Sequence, residues 1–123
     1  MKLCEYLSSQ PRLEGKERAG GYFVFQTLFN EEYMRRRLNI KQKHIKALEV
    51  YVPKKKKVPM HKHSEGREFF IPCKEGLHIK LEKGEITCNQ ITEIPPGTYH
   101  SLKGEQHFYV IKAFDNSFDK ILK

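Results

Sequence analysis

With 123 residues, the chain has room for one compact domain with a true core and not for two. Hydrophobic residues at 38% and aromatic residues at 11% exclude intrinsic disorder. No apolar run approaches the ~18 residues a membrane span needs, and the opening "MKLCEYLSSQ" has no long apolar core, so a soluble, cytoplasmic protein is expected. Cys4, Cys73 and Cys88 form a sparse, odd set without a C-x-x-C pair, which reads as reduced thiols rather than a disulfide framework. The formal charge of +8 is unevenly placed: residues 33–62 hold eleven Lys/Arg against the single acid Glu49, a net of +10. A basic excess this concentrated is a solvated face, or else a surface or funnel for an anion.

In chain order, a short helix is expected before Pro11. A strand over 22–29, "YFVFQTLF", follows a Gly-Gly break. Next, "NEEYMRRRLN" has a capping Asn30, acids in its first turn and Arg35–Arg37 in its last. Each sign complements the helix dipole at its end. "HIKALEVYV" (44–52) is a second strand. "LHIKLEKGEIT" alternates, with Leu77, Ile79 and Leu81 on one side and His78, Lys80 and Glu82 on the other, as a half-buried strand does. "HFYVIKAF" (107–114) closes the set. The turns "SEGR", "CKEG", "EKGE", "PPGT" and "KGEQ" between short strands indicate an all-β barrel or sandwich with one or two short N-terminal helices.

The chemistry concentrates in "PMHKHSEGREFF" (59–70). Side chains two apart on a strand share a face, so His61 and His63 project together. The turn "SEGR" lets Glu68 enter the neighbouring strand on the same interior. "PPGTYH" (95–100) brings His100 to a third strand. Three imidazoles and a carboxylate converging on one point suit Fe(II), Mn(II), Ni(II) or Zn(II). Four protein ligands on an ion that prefers six positions leave two open, the arrangement of a reactive site rather than a structural one. Phe70 and Leu102 share the inward parity of Glu68 and His100 and form an apolar wall, while Tyr51 and Tyr109 are candidates to present a phenol to the same cavity. His44, His78 and His107 read as surface positions.

These two motifs resemble those of the cupins. "HKHSEGREFFIPCKEG" (61–76) is similar to the family's H-x-H-x(3,4)-E followed by a glycine, and "PPGTYH" to its P-x-G-x-x-H. The resemblance covers about residues 45–114, leaving 1–44 as an extension of a single 1–123 domain. It implies a small antiparallel β-barrel, a cupin-like jelly roll, with His61, His63, Glu68 and His100 holding one divalent metal ion in its mouth. A homodimer is implied by the family alone.

The expected function is metal-dependent chemistry on a small anionic molecule, as dioxygenase, decarboxylase, lyase or isomerase, with Glu68 as ligand and proton acceptor. A non-enzymatic sensor or carrier is the alternative, and a metal-free nucleotide-sugar isomerase or epimerase a third. The run Lys54–Lys57 reads as a solvated turn or as a cationic rim of the mouth. No base-stacking aromatic motif accompanies it, which disfavours nucleic acid as a partner.

Overall fold

The charge pattern of the N-terminal part is realised as expected in a computed structural model that describes residues 1–123. Helix α1 spans Leu3–Ser8 and α2 spans Glu31–Leu38. Asn30 caps α2, its Oδ1 accepting the Tyr33 N–H at 2.8 Å. Arg35 closes the other end, donating to Glu31 one turn back and to the Gln42 and Lys43 carbonyls beyond the helix.

The strands are β1 (Lys16–Arg18), β2 (Tyr22–Thr27), β3 (His44–Val52), β4 (Lys57–Lys62), β5 (Arg67–Pro72), β6 (Leu77–Leu81), β7 (Gly84–Cys88), β8 (Thr92–Ile94), β9 (His100–Lys103), β10 (Gln106–Phe114) and β11 (Ile121–Leu122). They form two antiparallel sheets, one ordered β1-β2-β3-β10-β5-β8 and the other β11-β4-β9-β6-β7. The long alternating stretch from Leu77 is a hairpin rather than one strand, turning at "EKGE" so that Leu81 faces Gly84. Strands β1, β8 and β11 were not foreseen: each has two or three residues, too few to display a period.

The first sheet is covered on both faces. Val50, Phe70, Phe108 and Val110 point inward and pack against Val58, Leu77, Ile79 and Leu102 of the second sheet. Their neighbours Phe69, Ile71, Tyr109 and Ile111 point outward under Leu3, Leu7 and Met34 of the helices. Burial on both sides explains why "EFFI" and "FYVI" are continuous apolar runs rather than alternating ones. Within the first 40 residues, α1 and α2 therefore cover the outer face of the first sheet, while β1 and β2 extend the sheet itself.

The outer layer also corrects the cysteine expectation. Cys4 on α1 and Cys73 just beyond β5 are joined in a disulfide, and only Cys88, buried, is free. The partners lie 69 residues apart, and only the docking of α1 over the end of β5 brings them together. Sparse cysteines are no argument against a bridge when the pairing is tertiary.

Candidate metal centre

A bulge aims the first ligand. Val58 pairs with Leu102 and His61 with His100, so three steps along β4 match two along β9. The extra residue reverses the inside–outside alternation, so Val58 and His61 both face inward although they are three apart. Pro59 lies in the bulge, where its missing N–H costs no ladder hydrogen bond. His63 follows the end of β4, Glu68 sits on β5 and His100 opens β9.

Two glycines shape the loops between them. Gly97, at φ +82°, turns the "PPGT" segment and donates its N–H to the His63 carbonyl at 2.7 Å, which ties the two histidine-bearing loops together. Gly66, at φ +93°, reverses the chain between His63 and Glu68, and a Cβ there would lie 2.8 Å from the Ala113 carbonyl oxygen.

His61, His63, Glu68 and His100 are all buried, and the three imidazoles place one nitrogen each within 4.8 Å of one another. The Glu68 Oε1 lies 3.0 Å from His100 Nε2 and 3.3 Å from His63 Nε2. Every ring is oriented through its other nitrogen. His61 Nδ1 meets the Pro59 carbonyl at 2.7 Å, His100 Nδ1 the Thr98 carbonyl at 2.8 Å, and His63 Nδ1 the Asp119 carbonyl at 2.5 Å. A carbonyl can only accept, so each Nδ1 carries a proton, and the tautomer this selects is the one whose Nε2, turned inward, is free to ligate.

The consequence is an excess of lone pairs. Neither a bare Nε2 nor a carboxylate oxygen can donate, so their short contacts are not hydrogen bonds. His63 Nε2, His100 Nε2 and Glu68 Oε1 are indeed buried without partners. Buried polar atoms left this way are rare, and a divalent cation among them would satisfy all of them. Backbone carbonyls behind ligating imidazoles are the usual way of fixing the tautomer a metal needs. The residues present therefore fit a metal ion.

Burial brings the His61 pKa down to about 4, against the Pro59 hydrogen bond, with the nearby His100, Lys120 and His63 adding to the effect. That ring is neutral at neutral pH and ready to ligate. Burial pushes the Glu68 carboxyl up, and only positive charge beside it, on His100 or His63 or on a metal ion among them, holds it below the usual carboxylate range.

The site opens into a cavity of about 710 Å³ between the sheets. Phe70 and Leu102 line it as parity predicts, and Phe70 meets the His100 ring edge-on. Tyr51 and Tyr109 do not. Tyr51 is on the outer face and 37% exposed, and Tyr109 points into the helical layer toward the Ser8 hydroxyl. Both fall on the outward parity of β3 and β10, opposite to Val50 and Phe108. The cavity phenol is Tyr22 instead, its hydroxyl accepting from Lys120 Nζ at 2.7 Å.

The Lys54–Lys57 run is not the cationic rim. It turns between β3 and β4, before the strand whose far end carries the histidines. The cavity's cations are Lys16, Arg18, Lys46, Lys112 and Lys120, brought from four separate stretches of chain. Burial lowers the Lys112 pKa; Glu68 opposes this, and Lys120, Arg18 and Lys46 add to it. The C-terminal tail also contributes Phe118, which lies against His63 with ring centroids 4.0 Å apart. No sequence pattern marked "FDNSFDKILK" as part of the site, because its role rests on a return across the whole chain.

No protein-family model and no curated protein matches the sequence. Solved structures do resemble it. A cupin-like protein from Thermotoga maritima superposes with a TM-score of 0.64 at 13% identity, over 92% of this chain and 86% of that one. KdgF from a Halomonas species gives 0.58 at 10% identity, over 82% and 87%. The oxalate decarboxylase of Bacillus subtilis gives 0.56 at 13% identity, with 95% of this chain matching 31% of that longer one. At these identities the likeness concerns architecture, and it agrees with the two facing sheets described above. The chain has a cupin-like fold.

Proposed function

We propose that the chain is a metal-dependent enzyme for a small anionic molecule, with His61, His63, Glu68 and His100 as the ligands of one divalent transition metal. The observation that carries this reading is the set of buried, partnerless acceptors, His63 Nε2, His100 Nε2 and Glu68 Oε1, beside a His61 held neutral. The cations of the cavity support an anionic substrate. Of the structural neighbours, one is an oxalate decarboxylase with Mn(II) centres and another a lyase for DMSP, so Mn(II) centres and small-molecule chemistry both occur on this architecture.

A bound ion would supply Lewis acidity at positions open to the substrate. The protein's own part is to orient and to exclude water. The three carbonyls behind the rings hold the Nε2 atoms in place, and Phe70 and Leu102 keep the inner wall apolar. Glu68 is the group placed to accept a proton from a substrate carbon or oxygen. The same reading takes residues 1–123 as one domain working as a homodimer, which light scattering on the purified protein tests. Cytoplasmic placement has lost the support of three reduced thiols, since bonds such as Cys4–Cys73 persist in oxidising compartments.

The test is metal content per chain by mass spectrometry, on protein prepared without chelator, beside His63→Ala and His100→Ala. A near-stoichiometric ion lost in both variants supports the reading. An empty wild type that takes up none of Fe, Mn, Ni or Zn overturns it.

A further inference from the structure

Lys46, Lys112 and Glu68 lie side by side on three adjacent strands. Lys112 of β10 is paired directly with Lys46 of β3 on one side and with Glu68 of β5 on the other. All three line the cavity. Neighbouring strands are ~4.8 Å apart, so the row spans about 10 Å across the inner face. Like charges directly opposite on paired strands destabilise a sheet, and here an exposed lysine, Lys46, and a half-buried one, Lys112, line the same open cavity. None of the five cavity cations has a carboxylate within ion-pairing distance, whereas Arg12, Arg35, Arg36 and Arg67 each do. Lys112 Nζ rests 4.9 Å from the Phe118 ring centre, and Lys120 Nζ is held by the Tyr22 hydroxyl. The cavity is thus lined by five cations and by only two carboxylates, Glu14 and Glu68, neither in an ion pair with them, and the lysine row begins one strand away from Glu68.

We infer that the ligand of this cavity carries two anionic groups, one bound at the metal centre and the other between Lys46 and Lys112, with Lys120 closing over it from the C-terminal tail. The inference rests on the metal reading above for the first group only. The second group offsets the repulsion of the Lys46–Lys112 pair, which a monoanion held at the metal leaves unrelieved. The chemical class is a small dicarboxylate or a phosphorylated carboxylic acid, short enough to span about 10 Å, the reach of two strand spacings.

Calorimetric titration of manganese-loaded protein with succinate, butyrate and phosphoglycolate tests it. Butyrate has the carbon chain of succinate without the second carboxylate. Succinate is expected to bind at least ~10-fold more tightly than butyrate, the size of one charge-assisted contact. In Lys46→Gln and Lys112→Gln that preference falls to about 2-fold with manganese stoichiometry unchanged, while Lys46→Arg retains it. Tighter binding of phosphoglycolate than of succinate, with the same lysine dependence, identifies the second group as phosphate, and the reverse order as carboxylate. Both orders support the inference. Equal binding of succinate and butyrate, or a preference that survives both glutamine variants, overturns it. Should the wild type take up no manganese, the metal reading fails on its own. A lysine-dependent preference for succinate in that metal-free protein still supports the second subsite, and its absence overturns it.

Discussion

The proton on His63 Nδ1 is given to the carbonyl of Asp119, 56 residues away. Asp119 is itself fixed, its carboxylate accepting both the backbone N–H and the hydroxyl of Ser64, at 2.9 and 2.7 Å. Those two bonds hold its pKa below the usual range. The C-terminal tail then continues as β11 along β4, with Leu122 opposite His61. A tail that returns to pair beside one ligand also sets the tautomer of another.

Removing the tail should therefore cost metal affinity rather than fold. Deletion of residues 117–123 takes away the carbonyl behind His63, and the loss of such support costs about 10–100-fold in affinity. Asp119→Ala keeps that carbonyl and loses only the Ser64 clamp, so its effect should be smaller. Competition for the metal against a chelator ranks the two. Equal affinity in the deletion and the wild type would show that His63 needs no second partner.

Glu68→Gln separates stability from metal binding. The amide keeps the carboxyl's shape and brings an N–H donor within reach of the bare Nε2 of His100, now 3.0 Å from an oxygen. Satisfying that pair should stabilise the metal-free protein by about 1 kcal/mol, seen as a higher melting temperature. The same change should weaken metal binding by at least ~10-fold, since a charged ligand is gone. A variant that binds the metal as tightly as the wild type would remove Glu68 from the ligand set.

Acid should unfold the metal-free protein early. The His61 pKa is about 4 in the fold against 6.5 for an unperturbed ring. Between those values the unfolded chain binds a proton that the folded one does not, so stability falls as the pH drops, by up to about 1.4 kcal/mol per pH unit. Urea midpoints of chelator-treated protein from pH 7 to 4 should show the decline. His61→Gln should flatten its upper part, and a wild-type profile already flat there would contradict a buried neutral ring.

The disulfide closes a long loop, and its stabilisation is correspondingly large. In the chain-entropy account a bridge across 69 residues contributes about 4 kcal/mol. Reductant, or the double change Cys4→Ser with Cys73→Ser, should lower the melting temperature by roughly 15 °C, mostly through release of α1 from the outer face. Denatured protein prepared without reductant should titrate as one free thiol, that of Cys88. Three titrated thiols would mean that the bridge does not form.

What could be read in the sequence is what depends on neighbours a few residues apart. The Asn30 cap and its charge pattern are local, and α2 forms where they place it. Strand β3 covers the residues expected, because its apolar run is long and its ends are marked. His61, His63, Glu68 and His100 were legible because each motif spans at most a hairpin, and alternation alone put Phe70 and Leu102 on their face. The same alternation could not choose between the two faces of β3 and β10. Both faces are buried at Phe108–Ile111, so parity within the strand carries no label for the cavity, and Tyr51 and Tyr109 came out on the wrong side.

Only the tertiary structure decided the rest, since those features join points far apart in the chain. The Cys4–Cys73 bridge, the return of Phe118 and Asp119 to His63, and the assembly of Lys16, Arg18, Lys46, Lys112 and Lys120 around one cavity each depend on chain reversal across both sheets. The densest run of lysines, Lys54–Lys57, ended in a turn away from the site, while lysines spaced singly along the chain built its charge. Local composition reports how much charge a segment carries; the sheet register decides where that charge is concentrated.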